Sequence, residues 1–463
     1  MKINISHLGA ITNAQIELKP LTVFVGDNNT GKTWAAYAIA SILGHYGQKR
    51  YLEAYLNNQT AFKFQPLEEA LNTLSEKGSA SINLKELLIN HAERYINEVA
   101  LLVPQWLDIF MATKYAHFDN TTISVEFPPA FLTKITERLN HFGINAGMSV
   151  GQKGSLLSLK ALKDDANENL YYYITSDSAE IPDIIKKKEI EEFVTSVAFD
   201  VIRGTIASNT PIFPMERTTF ITLPLSVDNQ AKKPNQNINS SKSEMLSEPV
   251  KYFLAMLNSS TRKFFDRKKQ QQKEPKINHF ISLAHFLEND ILLGEVEFEE
   301  HGNALEVLYK PTDEINLEVK VSSSMIKELA PLSLYLKYVA NLNDLVIIDE
   351  PEMNLHPAAQ AEMTEFMGML VNSGLNLLIT THSPYIIAHL ENLMRAWDNE
   401  KKEKIKKHFY LEREEAFISK DEVSVYFFDD GKTQDVLSNT GQIEWDTFSD
   451  VSSDIAQIYS KIG

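Results

Sequence analysis

The sequence predicts an α/β fold with a mixed-sheet core, an antiparallel β subdomain and an inserted helical lobe. Three observations predict it. The first is a set of three short apolar runs, Leu21–Val25, Leu345–Ile348 and Leu375–Thr380, read as strands buried in a sheet. The second is that each run ends abruptly in polar residues placed where such sheets carry their chemistry. The third is the stretch of about 310 residues between the first run and the second, whose patterns are mixed rather than periodic.

Taken in chain order, the opening residues alternate. Ile3, Ile5, Ile11, Ile16 and Leu18 are separated by polar positions around Gly9, which reads as an antiparallel hairpin. The run Leu21–Val25 follows, then Gly26-Asp27-Asn28-Asn29-Thr30-Gly31-Lys32-Thr33, then the helix pattern from Trp34 to Leu43. Strand, glycine-bounded loop, Lys-Thr and helix make a P-loop. Gly26 and Gly31 free the backbone to turn its amides inward, and the helix beginning near Lys32 adds free N–H groups and a positive dipole end. Gly26, Asn28, Asn29, Thr30, Gly31, Lys32, Thr33 and Trp34 are therefore the expected nucleotide-binding set, with Lys32 reaching the β- and γ-phosphates. The Thr33 hydroxyl is expected to ligate Mg²⁺.

The second run ends in Asp349-Glu350-Pro351-Glu352-Met353-Asn354-Leu355-His356-Pro357. Asp349 at the strand end is expected to hold Mg²⁺, directly or through water, and Glu350 to polarise the attacking water. The third run ends in Thr381-His382-Ser383-Pro384, so His382 is expected beside Asp349 and Glu350 if the strands are neighbours.

The DEPExxLHP run, the TTHSP run and the early P-loop together resemble the ABC-type ATPase heads of the SMC, RecF and RecN group, and most of all the OLD-like AAA15/AAA21 proteins of bacteria. The resemblance implies an ABC-type P-loop ATPase head using ATP and Mg²⁺, in which Asp349 and Glu350 serve magnesium and hydrolysis. It also implies that Asn354–Pro357 is a loop at a dimer interface and that His382 is a switch histidine. Pro211-Ile212-Phe213-Pro214-Met215-Glu216-Arg217-Thr218 is similar to the family's proline–acid–arginine motif at a strand end. Ser322-Ser323-Ser324-Met325 stands where the signature helix should begin, with Ser323 and Ser324 set to reach a nucleotide held by a second copy. Here the chain departs from the family, since Met325 replaces the usual glycine. The serines also read simply as the N-cap of a helix from Met325 to Leu342.

The intervening segment keeps no heptad register and is interrupted by Pro66, Pro104, Pro128, Pro129 and Pro182, so it reads as a compact lobe rather than a coiled-coil rod. Helices are expected from Tyr51 to Ala116 and from Asp183 to Ala207, with strands around Ile123–Phe127, Ser155–Leu162 and Leu170–Thr175. The domain expectation is an ATPase head made of residues 1–45 and 206–463, with the lobe spanning 46–205. Asp228 to Lys242 reads as a mobile loop. Arg262 to Lys276 is the one basic cluster with aromatics, Phe264 and Phe265; it reads either as a grip on nucleic acid or as a solvated helix end whose phenylalanines face the core. After His382 the chain suggests a charged helix from Glu391 to His408, a strand Val423–Phe428, a turn at Asp429-Asp430-Gly431-Lys432 and a final amphipathic helix, which leaves no room for the nuclease domain that OLD nucleases carry there.

Composition narrows the function further. The 463 residues are 43% apolar and contain no cysteine, which excludes disulfides, thiolate metal sites and cysteine nucleophiles. With 45 basic against 62 acidic residues the net charge of −17 repels phosphate backbones in general, so nucleic acid contact requires a local basic patch. No secretion signal or membrane span is visible, which suggests a cytoplasmic protein. The family resemblance implies the rest of the expected function: an ATPase which forms homodimers or higher homo-oligomers around ATP and regulates a separate effector protein, similar to the ATPase subunits of phage-defence systems such as Septu and PARIS. The alternative is a RecF-like repair ATPase that binds DNA structures.

Overall fold

A computed structural model spans the chain and describes residues 1–463 except 142, 153–154, 166, 177–182, 224, 227–245, 270–278, 302–303, 313, 445–457 and 459–463. The chain divides into two compact units.

One unit comprises Leu8–Tyr37, Asp108–His117 and Pro211–Gly463. Its strands are β1 (Ile11–Glu17), β2 (Leu21–Val25), β3 (Ile212–Phe213), β4 (Leu345–Asp349), β5 (Asn376–Thr381), β6 (Val423–Asp429) and β7 (Lys432–Asp435). They lie in the order β1-β7-β6-β2-β5-β4-β3. The pairs from β6 to β3 are parallel, and β6 and β7 form an antiparallel hairpin, so the sheet is mixed. β2 and β4 are buried at every residue, which explains why they read as unbroken apolar runs. Each such Val, Leu or Ile contributes roughly 1.5–3 kcal/mol by leaving water.

Register decides where the chemistry falls. Asp349 pairs with Thr380, Thr381 with Val25, and Ile348 with Phe213. Four parallel strands therefore end at one edge, and the loops after Val25, Phe213, Asp349 and Thr381 leave the sheet together. Leu21, Val23, Val25, Val346, Ile348, Leu377 and Ile379 join one core with residues of helices α2 (Ser324–Tyr338), α3 (Pro357–Asn372) and α4 (Pro384–Trp397). An antiparallel sheet of Leu225–Ser226, Glu295–His301, Ala304–Thr312 and Ile315–Glu318 forms the expected β subdomain.

The other unit comprises Met1–His7, Ala38–Leu107 and Phe118–Thr210. Its antiparallel sheet runs in the order Ser79–Asn83, Asn169–Ser176, Ser155–Lys163, Ile144–Gln152. Helices His45–Leu56, Gln65–Lys77, Leu84–Leu101 and Asp183–Ile206 accompany it. Its prolines sit where helices begin: Pro66 and Pro129 in first turns, Pro128 at an N-cap.

Three local expectations fail. The helical reading of 51–116 misses the strand Ser79–Asn83, where Gly78, at φ +72°, ends the preceding helix. Of that strand's residues only Ile82 is buried, so it shows almost no alternation. The charged helix expected over 391–408 is instead α4, which starts at Pro384 under an N-cap from Ser383 and ends at Trp397. The helix expected to run to Leu342 ends at Tyr338. The final amphipathic helix, the loop at 228–242 and the second half of the basic cluster lie outside the described residues.

Candidate active site

The loop after β2 turns back on itself. Gly26 has φ +142° and Gly31 φ +97°, conformations that L side chains rarely adopt. Space is equally strict: a Cβ on Gly26 would stand 2.5 Å from the Phe428 carbonyl oxygen, and one on Gly31 2.7 Å from the Ile11 side chain. Asn29 completes the turn at φ +66°, and Thr30 Oγ1 donates to the Asp27 carbonyl at 2.9 Å. Asp27, Asn28 and Asn29 are exposed, so the loop has an open mouth. Helix α1 (Lys32–Leu43) begins directly behind it.

Lys32 is only 6% exposed, and its ammonium donates to the carbonyls of Gly26 and Asp27, each at 2.7 Å. Burial lowers its pKa, against the opposing pull of Glu350 and Asp349. A Cβ on Gly9 would stand 2.4 Å from the Trp34 ring, so the indole packs on the turn at Gly9.

Thr33 Oγ1 donates to Asp349 Oδ1 at 2.9 Å. Thr380 Oγ1 donates to the same oxygen, and Tyr37 Oη donates to Oδ2 at 3.2 Å. Thr33 and Tyr37 are one helical turn apart, which puts both on the face of α1 that meets Asp349. Burial raises the Asp349 pKa, and the hydroxyls of Thr380 and Thr33 oppose it. Three hydroxyl donors are what an ionised carboxylate at this depth requires.

Glu350 departs from the strand at φ +50°, a left-handed conformation for a residue with a side chain, and its N–H donates to the Thr380 carbonyl at 3.1 Å. Its Oε1 stands 3.4 Å from His382 Nδ1. That separation is long for a hydrogen bond and ordinary for an ion pair. Contact with His382 holds the Glu350 pKa down, and Glu350 in turn raises the His382 pKa. Thr33, Asp349, Glu350 and His382, far apart in the sequence, thus stand together at one edge of the sheet.

Ser323 and Ser324 are exposed at the start of α2, and the Ser323 hydroxyl accepts from the Ile326 N–H at 3.4 Å as an N-cap. Among the described residues no hydrogen bond joins either serine to the Gly26–Thr33 loop. Met325 is partly buried and packs against the apolar core.

Several residues of the site carried no role in the sequence reading. Arg217 is 2% exposed, and its Nη1 donates to the Asp349 carbonyl at 2.7 Å and its Nη2 to the Glu350 carbonyl at 2.8 Å. It also forms an ion pair with the fully buried Glu328 of α2. Glu352 Oε1 accepts from Thr381 Oγ1 at 2.7 Å and from the His382 N–H at 2.9 Å, which fixes the backbone of the histidine. Burial raises the Glu352 pKa. One signal in the sequence pointed to Glu328: a lone acid set among Ile326, Leu329 and Ala330 on an apolar helix.

The described residues contain no group of three or more His, Asp or Glu arranged to hold a metal by themselves. No described helix is long and apolar enough to cross a membrane.

No curated protein matches the chain significantly by sequence. Among solved structures, the chain is similar to an Smc head bound to the C-winged helix domain of ScpA, at 11% identity over 94% of this chain and 96% of that one, with a TM-score of 0.36. It is similar to the SMC head domain from Thermotoga maritima, at 11% identity over 94% and 97%, TM-score 0.31. It is similar also to the recombination mediator protein RecF, at 10% identity over 94% and 97%, TM-score 0.30. The family model AAA_15, described as an AAA ATPase domain, matches residues 1–387. The chain belongs to the AAA ATPase domain family.

Proposed function

We propose that this protein binds ATP with Mg²⁺ and hydrolyses it, that copies of the chain close on one another around the nucleotide, and that this closure regulates a separate effector protein. The observation that carries the reading is the meeting of Thr33, Asp349, Glu350 and His382 at the carboxyl edge of one parallel sheet, behind the Gly26–Gly31 loop.

The residues fit Mg²⁺ in the way nucleotide sites hold it, with one or two protein oxygens and the rest from phosphate and water. Thr33 Oγ1 and Asp349 Oδ1 are hard oxygen donors already 2.9 Å apart. When bound, the ion neutralises charge on the phosphate oxygens. Lys32 supplies the fixed positive charge at the loop. Glu350, held low by His382, is ionised at neutral pH and suited to accept a hydrogen bond from the attacking water. His382 suits a contact with the same water or the terminal phosphate.

Closure between copies is supported by the exposed tip of α2, where Ser323 and Ser324 border free helix N–H groups suited to an anion. Control of an effector, and a role in anti-phage defence, rest on the family resemblance. The RecF-like alternative draws on the basic run from Arg262. In its described part Phe264 and Phe265 pack against the core, Phe264 with its ring 5.6 Å from that of Phe298, so they are engaged in packing rather than offered to bases.

The test combines ATP binding, turnover and sizing chromatography. Wild-type protein should bind ATP, hydrolyse it in the presence of Mg²⁺, and shift to a larger species with nucleotide, while Lys32→Ala should lose binding. Turnover that survives unchanged in Lys32→Ala, or in excess chelator, would overturn the site assignment.

A further inference from the structure

Arg217 and Glu328 lie between two parts of the molecule that the proposed reaction needs to work together. Arg217 follows β3 and is buried. Its Nη1 donates to the carbonyls of Pro214 at 2.9 Å and Asp349 at 2.7 Å, and its Nη2 to that of Glu350 at 2.8 Å. The guanidinium therefore clamps the two peptide units that flank Glu350, the residue held at φ +50°. Its ion-pair partner is the carboxylate of Glu328, which is on α2. The other Glu328 oxygen, Oε2, is 3.5 Å from Asn354 Nδ2, in the loop that follows Glu350 and itself at φ +61°. One buried carboxylate is thus tied to the backbone around Glu350 on one side and to the exposed Asn354 loop on the other, and it sits one turn beyond the exposed Ser323–Ser324 tip.

We infer that Arg217 and Glu328 are positioning residues that set the geometry of Glu350 according to the position of α2. A planar guanidinium with several donors in a fixed fork transmits orientation in a way that a single ammonium does not. A contact that moves the tip of α2 displaces Glu328. Glu328 displaces Arg217, and with it the two carbonyls that hold Glu350 in place. In this view α2 couples contact with a second copy to hydrolysis, and the Gly26–Thr33 loop, to which Arg217 makes no hydrogen bond among the described residues, keeps its grip on nucleotide throughout. The inference rests on the proposed ATPase reading.

The experiment separates affinity from turnover. Glu328→Gln keeps the shape of the side chain and removes its charge; Asn354→Ala removes the outer contact at an exposed position, with some added backbone strain from the positive φ. Glu328→Gln is expected to bind ATP within about threefold of wild type while kcat falls at least tenfold, and Asn354→Ala to lower kcat about threefold with affinity unchanged. Combining Glu328→Gln with Arg217→Lys should cost no more than the worse single change, as for two parts of one device. Wild-type kcat in Glu328→Gln would overturn the inference, as would loss of affinity in proportion to kcat. If Glu328→Gln yields no folded protein, wild-type kcat in Asn354→Ala overturns it instead. Absence of hydrolysis in the wild-type protein, or hydrolysis indifferent to Lys32→Ala, would sink the ATPase reading itself and is a different result.

Discussion

The two units bury polar groups in different ways. In the unit with the P-loop, Lys32, Arg217, Glu288, Glu328, Asp349, Glu352 and Glu365 are all buried, and several face one another across strand ends. In the other unit the buried cations serve structure. Lys163 donates to the Leu139 carbonyl at 2.7 Å, and Arg203 to Gln48 at 2.7 Å and to the carbonyls that follow its own helix. The core of that unit is a cluster of rings instead: Phe199 has Tyr51, Tyr55, Phe64 and Tyr95 with centroids 4.8–5.5 Å away. Burying charge costs stability unless every group is paired. A unit that spends stability in this way at the end of a sheet has a chemical reason to do so; an aromatic core has none beyond packing.

Substitutions can break or sharpen this contrast. Phe199→Ala should cost about 3–5 kcal/mol, as for other large cavities in aromatic cores, while ATP turnover per folded molecule stays near wild type. Denaturant unfolding followed beside an activity assay would check both halves. Arg217→Ala should also cost about 3–5 kcal/mol, because it strands the Glu328 carboxylate without its cation, but here turnover should fall as well. If Arg217→Ala lost only stability, the two units would not differ in kind.

The two units also differ in how far they can be read from sequence. The P-loop, the acids after Ile348 and the histidine after Thr381 are local: strand, loop and helix follow within a dozen residues, and burial on both faces writes each strand as an apolar run. The strand Ser79–Asn83 gives no such sign, because one buried isoleucine makes no pattern. The strand Ile144–Gln152 differs: Ile144, Ala146, Met148 and Val150 do alternate with polar or glycine positions, but none of the four is fully buried, and the two glycines weaken the signal. Arg217 stands in the proline–acid–arginine motif and Glu328 is a lone acid on an apolar helix, but the meeting of the two is not legible, for another reason. It depends on the register of β3 beside β4 and on how α2 lies over them, and neither is fixed by any nearby residue.

Smaller effects test the loop and the helix tip. Gly26→Ala should cost about 1–3 kcal/mol from backbone strain alone, and the clash with the Phe428 carbonyl should weaken nucleotide binding as well. Calorimetric melting with and without ATP would separate the two. Ser323→Ala should cost about 1 kcal/mol through loss of the N-cap. If closure between copies uses this serine, it should lower ATP-dependent association more than that stability loss explains.

The pH dependence of the Glu350–His382 pair has a definite sign. His382 has its pKa raised above the ordinary 6.5, so its contribution is fully present below that value and is lost as pH rises through the raised one. Glu350 has its pKa lowered from the ordinary 4.5, so its contribution is present above that value and is lost as pH falls through the lowered one. The pair therefore stabilises the site most between about pH 4.5 and 6.5. NMR titration of His382 should show its pKa falling toward the ordinary value in Glu350→Gln; an unmoved titration would mean that the two groups do not interact.

The central claim is that Glu350, held at the strand end beside Asp349 and His382, activates the water that attacks ATP. Its most direct test is a single-turnover measurement of ATP hydrolysis in wild type and Glu350→Gln, with nucleotide affinity measured on the same preparations. The expected result is affinity within a few-fold of wild type and hydrolysis slowed by roughly a hundredfold or more. Hydrolysis at the wild-type rate in Glu350→Gln would contradict the account.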